Sequence, residues 1–320
     1  MGVRSTREHV HRLSFDVKWP PGHVACYLIE GPEPILVDAG APDRSERFQD
    51  ALAEFGYVPG DIEHLLITHP HVDHIGKAAT VLEAGDPTVY APIGVRSRFA
   101  GRADALEERV RRNCLTAGFS GDTLEAAIER ALDSFERNVG LLAPDSVDVW
   151  VKPGEEISVG HLRVEGVHLP GHQADHLSYL TEIADRRVLL SGDMGIEPFR
   201  PIVVHDGLDD GYREAFGAFY GALDRMADID VDLVYPGHGP VHAELEAVVD
   251  RDRASLDDRL DRIADLVADG HATAPAVVKT LGGGRGNQYM IPETLSALAH
   301  LEETGRITGE LTDGTYRYSA

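Results

Sequence analysis

"ITHPHVDHIG", residues 67–76, places three histidines and an aspartate within six positions, directly after the apolar run "HLLI". These side chains are His69, His71, Asp73 and His74. A short apolar run that ends in a polar loop predicts a buried strand, with the polar cluster at its end. Imidazole and carboxylate groups without a thiolate suit Zn, Fe or Mn. The stretch therefore predicts most of a metal site mounted on a rigid strand.

Four further stretches each set a histidine or an aspartate after an apolar run. They are "ILVDAG" with Asp38, "LPGHQADH" with His172, "LLSGDMG" with Asp193 and "VYPGHGP" with His238. Without Asp38, the set contains five histidines and two aspartates, more than one tetrahedral ion needs. Such a set fits two ions about 3.5–4 Å apart that share one carboxylate, as in two-metal hydrolytic sites.

These motifs, in this order and spacing, resemble those of the metallo-β-lactamase superfamily over about residues 10–245. The resemblance implies an αββα sandwich with the metals at the sheet edges. It implies that His69, His71 and His172 hold one metal, that Asp73, His74 and His238 hold the other, and that Asp193 bridges. It also implies two divalent ions, most often Zn, with Fe or Mn as alternatives.

Two residues are expected to orient the ligands from behind. Asp38 ends a predicted inner strand, where a plain turn or a helix cap is the alternative interpretation. His176 follows His172 by four positions and is expected to shape that loop. Asp73 and Asp193 are the predicted catalytic carboxylates: Asp193 by holding both ions, Asp73 by also orienting the attacking hydroxide, since divalent ions lower the pKa of a bound water to near 7.

The order of predicted elements indicates an α/β (α+β) fold with two domains. A catalytic domain is expected over residues 1–245, with a charged helical insertion at about residues 95–146. Residues 246–320 predict three helices and a hairpin around Asp313-Gly314, which resembles a winged-helix accessory domain.

Composition excludes several classes of function. The chain of 320 residues has no run of 18 apolar residues, so no transmembrane helix is expected. It also has no apolar signal core near its start, so a cytoplasmic location is expected. The formal net charge of −24 repels nucleic-acid phosphates and anionic membranes. Such an acidic surface is typical of salt-adapted proteins, with a high-GC bacterium as the alternative source.

The predicted function is hydrolysis of a thioester, lactone or ester by a metal-activated hydroxide. The expected substrate is a small molecule, and a homodimer is possible. Lactamases with a cysteine ligand are excluded, because no cysteine lies near Asp193. The tail resembles that of broad-specificity hydrolases which include a mammalian endoribonuclease, so RNA cleavage is the enzymatic alternative. A winged-helix regulator is disfavoured, because residues 246–320 carry 13 acids against 8 bases.

Other residues are weaker candidates for the site. His205 and His242 lie near the predicted ligand loops and could touch substrate. The arginines of the insertion could meet an anionic substrate, although a surface salt-bridge face is the simpler interpretation. The Gly-rich stretch at residues 281–289 could bring Arg285 or Tyr289 to a pocket. The full group is His205, His242, Ser178, Arg96, Arg98, Arg102, Arg285 and Tyr289.

Overall fold

The computed structural model describes residues 9–42, 45–282 and 290–320. It contains two large sheets, helices against the outer face of each sheet, and a small hairpin at the end. The strands are β1 (Val10–Asp16), β2 (His23–Ile29), β3 (Ile35–Val37), β4 (His64–Leu66), β5 (Thr88–Pro92), β6 (Val149–Val151), β7 (Glu156–Val159), β8 (Leu162–His168), β9 (Leu177–Ile183), β10 (Arg186–Gly192), β11 (Leu233–Pro236), β12 (Thr308–Thr312) and β13 (Thr315–Ser319).

The helices include those predicted in the insertion and in the C-terminal segment, and a single helical turn at Val72–Ile75 lies where a loop is expected. They are α1 (Ser45–Ala53), α2 (Val72–Ile75), α3 (Ala78–Ala84), α4 (Ile93–Phe99), α5 (Ala103–Thr116), α6 (Gly121–Leu141), α7 (Ala215–Ala227), α8 (Leu245–Ala268), α9 (Ala274–Gly282) and α10 (Met290–Glu303). The predicted insertion is helical along its length, through α4, α5, α6 and a final 3₁₀ turn at Pro144–Ser146. Arg285 and Tyr289 lie outside the described residues.

The first sheet has the order β1-β2-β3-β4-β5-β6 and the second the order β11-β10-β9-β8-β7. Strands β3 to β6 pair in parallel, and so do β10 and β11. The carboxyl ends of neighbouring parallel strands meet at one edge of a sheet, which is where polar loops can gather around a ligand. This topology brings the loops after β3 and β4 together, and those after β10 and β11.

Side-chain alternation along the strands builds two faces on each sheet. In β10, Val188 and Leu190 point into the core between the sheets, whereas Leu189 points out toward the helices. In β3, Ile35 and Val37 face the same central core, and Leu36 faces the outer layer with α1. The layers are therefore helix, sheet, sheet, helix, and the predicted αββα sandwich is confirmed.

The C-terminal segment consists of α8, α9, α10 and the β12–β13 hairpin, in the predicted order. Asp313 and Gly314 both have positive φ in the hairpin turn, at 50° and 78°, as a type I′ turn requires. The apolar faces of these helices belong to the same hydrophobic cluster as α5, α6, α7 and the outer face of the second sheet. The winged-helix interpretation and the domain boundary stay predictions.

Candidate metal centre

The histidine-rich motif at residues 67–76 lies in the loop after β4 and in the single turn of α2. His69 and His74 are fully buried and Asp73 is 8 % exposed. Gly76 follows this turn in close contact with another loop, since a Cβ there would lie 2.3 Å from the Ala41 carbonyl carbon. Only glycine permits that approach, which holds the turn against the chain that follows β3.

The four other motifs meet it at the same edge. Asp38 follows β3, His172 lies in the loop after β8, Asp193 follows β10 and His238 follows β11. The ligand atoms form two groups, within each of which all atoms lie within 4.8 Å of one another. The three-histidine group is His69, His71, His172 and Asp193, and the Asp73 group is Asp73, His74 and His238.

The Asp193 carboxylate lies between the two groups. Its Oδ2 atom is 3.2 Å from His172 Nε2 and 3.3 Å from His238 Nε2, and its Oδ1 atom is 3.1 Å from His74 Nε2. The ligand atoms of a tetrahedral ion with ~2.0–2.1 Å bonds lie about 3.3 Å apart. The observed separations therefore match those of atoms that share ions. Both groups could hold a metal, and their shared carboxylate suggests a dinuclear site.

The three histidines of the three-histidine group have too few protons on their inward nitrogens to hydrogen-bond to one another. His71 Nδ1 lies 3.1 Å from His69 Nε2 and 3.0 Å from His172 Nε2. His69 directs its Nδ1 to the Thr68 hydroxyl and His172 directs its Nδ1 to the Ile202 carbonyl, at 3.0 and 2.9 Å. With both outer nitrogens donating, at most one proton can lie among three inward nitrogens.

Burial reinforces this conclusion. It lowers the pKa of His69 well below the ordinary value, and the neighbouring imidazoles of His74 and His71 add to that effect. Burial and the nearby His172 ring do the same to the pKa of His71. Neutral imidazoles present lone pairs to one another, so a bound cation is what would stabilise the cluster.

The carboxylates shift the other histidines in the opposite direction. Burial lowers the pKa of His74, but the Asp193 and Asp38 carboxylates outweigh it and hold that pKa well above the ordinary value. The pKa of His238 is likewise raised, since Asp193 outweighs burial. Although burial opposes it, the His238 and His74 rings hold the pKa of Asp193 well below its usual range. The shared carboxylate is therefore ionised, as a metal ligand must be.

Asp38 lies directly behind His74. Its Oδ2 atom accepts hydrogen bonds from His74 Nδ1 and from the Thr68 hydroxyl, both at 2.8 Å, and its Oδ1 atom accepts from the Thr68 amide at 2.8 Å. This arrangement keeps a proton on His74 Nδ1, so that Nε2 is the nitrogen that can bind a metal in the Asp73 group once it has lost its own proton. Among the described residues, neither His74 Nε2 nor Asp193 Oδ1 makes a hydrogen bond, although both atoms are buried.

His176 supports Asp193 through the backbone. The Asp193 amide donates to His176 Nε2 at 3.0 Å, and burial lowers the pKa of His176 to about 3, so the ring stays neutral. The absence of a side chain at Gly192 permits this contact, because a Cβ there would lie 2.7 Å from both His176 Nε2 and the Thr68 hydroxyl. Gly192 also has φ of 53°, which glycine adopts without strain.

Three residues at the site were not singled out from the sequence. Thr68 connects Asp38 to His69 through its hydroxyl. The Trp19 indole lies 3.4 Å from Asp73 Oδ2. The His23 carbonyl lies 2.5 Å from His238 Nδ1, and the His23 ring accepts from the Gly239 amide at 2.8 Å. The contacts of Trp19 and His23, and the contact of Thr68 with Asp38, join groups brought together by the fold, so no local pattern predicts them.

The weaker candidates make contacts within the protein. Ser178 donates to the Ser191 carbonyl at 3.0 Å, and His242 bonds to the Gly195 carbonyl at 2.8 Å. The His205 amide donates to the His172 carbonyl at 2.8 Å. Arg98 pairs with Asp206 and, at 2.6 Å, with Asp175, so it ties α4 to the loops beside His172.

Arg102 pairs on the surface with Asp104 at 2.5 Å, as the salt-bridge interpretation expects. Arg96 lies in the last turn of α4, and its substrate contact stays a prediction. Among the described residues, no helix combines the length and apolarity that crossing a membrane requires.

The ligand motifs also match a known family. The family model described as "Metallo-beta-lactamase superfamily" matches residues 19–238, which include every one of these ligand residues. The chain belongs to the metallo-β-lactamase superfamily. The match ends at His238, so it does not include the C-terminal segment.

Relatives within the metallo-β-lactamase superfamily extend the comparison. Lactamase-like protein adaB of Aspergillus niger is 24 % identical to this chain over a stretch that covers 82 % of this chain and 63 % of that protein's length. Probable metallo-hydrolase YqjP of Bacillus subtilis is 24 % identical over 77 % of this chain and 76 % of its own.

Two solved structures cover nearly the whole chain. A metallo-beta-lactamase family protein from Thermus thermophilus has a TM-score of 0.80 and 25 % identity, and covers 98 % of each chain. A beta-lactamase domain protein from Burkholderia ambifaria has a TM-score of 0.77 and 22 % identity, covering 97 % of this chain and 92 % of its own. The shared fold therefore includes the helical insertion and the C-terminal helices.

Proposed function

We propose that this chain is a dinuclear metallohydrolase that acts on a thioester, lactone or ester of a small molecule. The observation that carries the proposal is the Asp193 carboxylate, 3.1–3.3 Å from one histidine of the three-histidine group and two of the Asp73 group. A structural ion needs one closed set of four ligands. A carboxylate shared between two buried groups is instead typical of sites that activate water between two ions.

The donor set fits divalent ions, with Zn favoured and Fe or Mn as alternatives. Five imidazoles and two carboxylates, with no thiolate in either group, suit these metals. When bound, such ions supply Lewis-acid chemistry and lower the pKa of water. The His69, His71 and His172 nitrogens with Asp193 would hold one ion, and Asp73, His74 and His238 with Asp193 the other.

The remaining residues of the site orient these ligands and the reacting water. Asp38, Thr68 and the His23 carbonyl each fix the outer nitrogen of a histidine ring, so the inner nitrogen presents its lone pair. Asp73 keeps 8 % of its surface exposed, whereas His69 and His74 keep none, and we assign to its carboxylate the role of accepting a proton from an incoming water. The Trp19 indole donates toward the same carboxylate and limits its rotation.

The substrate class follows from charge. A formal net charge of −24 disfavours a polyanion such as RNA, and leaves a neutral or small acyl compound as the better substrate. Relatives named lactamase-like and metallo-hydrolase support hydrolysis without deciding the substrate. We expect the enzyme to act in the cytoplasm on a small molecule.

Metal analysis and a substrate panel test this proposal. Protein purified after growth with ample Zn, Fe and Mn should contain close to two ions per chain by elemental analysis. It should hydrolyse at least one compound from a panel of thioesters, lactones and esters, and lose that activity reversibly on chelation. Stoichiometry at or below one after reconstitution would disprove the dinuclear site, and cleavage of RNA alone would disprove the acyl substrate.

A further inference from the structure

Glu293 is a buried carboxylate in α10, in the segment that follows the family match. Its exposed fraction is 2 %, although glutamate is rarely buried without partners. Arg259 Nε of α8 lies 2.8 Å from Oε1, and the guanidinium of Arg200 lies 3.2–3.4 Å from both carboxylate oxygens. Two guanidiniums therefore neutralise one carboxylate in the interior, which offsets the cost of its burial.

The same carboxylate also holds the backbone of a loop from the catalytic region. The Val203 amide donates to Glu293 Oε2 at 3.0 Å, across 90 residues of sequence. The residue before it, Ile202, presents the carbonyl that accepts from His172 Nδ1 at 2.9 Å. The peptide unit joining Ile202 to Val203 thus has its amide fixed by Glu293 and its carbonyl fixed by His172.

Arg200 strengthens the connection at the start of this loop. Its side chain, 8 % exposed, donates to the Pro201 carbonyl at 2.9 Å and to the Ser255 hydroxyl of α8 at 3.1 Å. Both anchors of the loop therefore belong to the C-terminal segment, α8 and α10. A pair that only docked the tail would need no hydrogen bond to the Val203 amide.

We infer that Glu293 is a positioning residue for His172, and that the C-terminal segment holds this histidine in the geometry that its metal requires. The inference rests on the proposed function, since it takes His172 as a metal ligand. The Ile202 carbonyl must stay in place for His172 to keep its proton on Nδ1 and its lone pair on Nε2. Glu293 fixes that carbonyl through the adjacent Val203 amide, so it acts on the His172 ring indirectly.

Glu293→Gln tests the inference with little change in volume. The glutamine oxygen can accept from the Val203 amide or face a guanidinium, but the amide nitrogen then meets a donor. Partners behind a metal ligand are worth roughly 10–100-fold in metal affinity, and Glu293 acts through a peptide unit, so we expect a loss of about tenfold. Arg200→Lys keeps the charge but loses the planar fork, and should weaken binding less, by about threefold.

The measurement is zinc affinity by competition with a chelator, on the full chain. His172→Ala identifies which of the two binding steps belongs to the three-histidine group, and Glu293→Gln should weaken that step alone. Leu298→Ala is the matched control, because Leu298 is fully buried on the same helix and its side chain has no polar group that could hold the loop by a hydrogen bond. It should lower the melting temperature without changing either zinc affinity. The ring Nδ1 proton signal of His172, observed by NMR in zinc-loaded protein, should move in Glu293→Gln and not in Leu298→Ala.

The outcomes separate the two claims. If wild-type protein binds two zinc ions and both Glu293→Gln and Arg200→Lys bind them with unchanged affinity, the positioning role is wrong and the proposed function stands. If Leu298→Ala weakens zinc binding as much as Glu293→Gln, the segment acts only through general stability and the inference is also wrong. If wild-type protein binds no zinc, the proposed function fails and this inference fails with it. Should Glu293→Gln not fold, Arg200→Lys decides in the same assay.

Discussion

Replacing Asp38 by asparagine should weaken metal binding by the Asp73 group while leaving the fold intact. The wild-type carboxylate accepts three hydrogen bonds of 2.8 Å, from the Thr68 amide, the Thr68 hydroxyl and His74 Nδ1. Asparagine keeps one acceptor oxygen, which can serve the Thr68 amide. Its amide nitrogen then replaces the oxygen that accepts from both other groups.

The consequence falls on His74. Its Nδ1–H would face the N–H groups of asparagine, and the ring can avoid this by moving its proton to Nε2. That tautomer removes the lone pair that faces the metal. A hydrogen bond to a charged group contributes about 1.5–3 kcal/mol, which corresponds to roughly 10–150-fold in affinity. We therefore expect zinc binding by the Asp73 group to lose one to two orders of magnitude in affinity.

The loss should also depend on pH. Asp193 and Asp38 hold the pKa of His74 well above its ordinary value in metal-free protein, so zinc must displace a proton from wild-type His74 near neutral pH. Asp38→Asn removes one of these carboxylates and lowers that pKa, which reduces the competition from the proton. The difference between variant and wild type should therefore be smallest at low pH and should grow as pH rises.

Competition with a chelator at pH 6.5, 7.5 and 8.5 gives both affinities, and circular dichroism checks the fold. Asp148→Asn is a suitable control, because Asp148 accepts a backbone hydrogen bond from Val89 at 2.8 Å in the same sheet and is neither a ligand nor a supporting residue of the site. It should bind zinc as wild type does. Asp38→Asn with both zinc affinities unchanged at pH 8.5 would refute the role given to Asp38, and so would a loss that shrinks as pH rises.

Three further predictions follow from other contacts. Asp193→Ala should lower metal affinity by more than the roughly 100-fold expected on removal of a residue that only orients a ligand, and it should also lose nearly all turnover. Wild-type kcat in this variant would contradict the bridging position of Asp193. Asp252 is fully buried, and burial raises its pKa from 3.8 to about 6, so its ionisation destabilises the folded state as pH rises through 6. The free energy of unfolding of Asp252→Asn relative to wild type, measured in urea, should therefore increase by about 1.5 kcal/mol between pH 5 and pH 8. An equal difference at both pH values would refute this. Because residues 246–320 carry 13 acids against 8 bases, the full chain should not retain random duplex DNA in filter binding at low salt, and tight, salt-sensitive retention would contradict this.

The predicted elements that rest on local patterns agree with the structure. The insertion expected to be helical at about residues 95–146 contains α5, α6 and most of α4. The hairpin at Asp313-Gly314 needs only the preference of two adjacent residues for positive φ. In each case the decisive interaction lies within a few residues, so the sequence is enough to predict it.

The ligand set of the site could also be predicted, because each ligand follows an apolar strand and carries the chemistry in its own side chain. His69, Asp193 and His238 are recognisable wherever the strands lie, and the order of motifs indicates the family. Asp193 Oδ2 lies 3.3 Å from His238 Nε2 and 3.9 Å from His69 Nε2. This convergence depends on the topology and stacking of the two sheets, which set the loops after β4, β10 and β11 at one edge of the sandwich.

Only the tertiary structure shows which groups hold the ligands in place. Thr68 between Asp38 and His69, the His23 carbonyl behind His238, and Glu293 behind the Ile202–Val203 peptide have no sequence signature. Apart from the bond between the neighbours Thr68 and His69, these hydrogen bonds join groups 30 to 215 residues apart, and two of them use a backbone carbonyl or amide. A side-chain type can be read from the sequence, whereas the partner of a backbone carbonyl or amide exists only once the chain has packed.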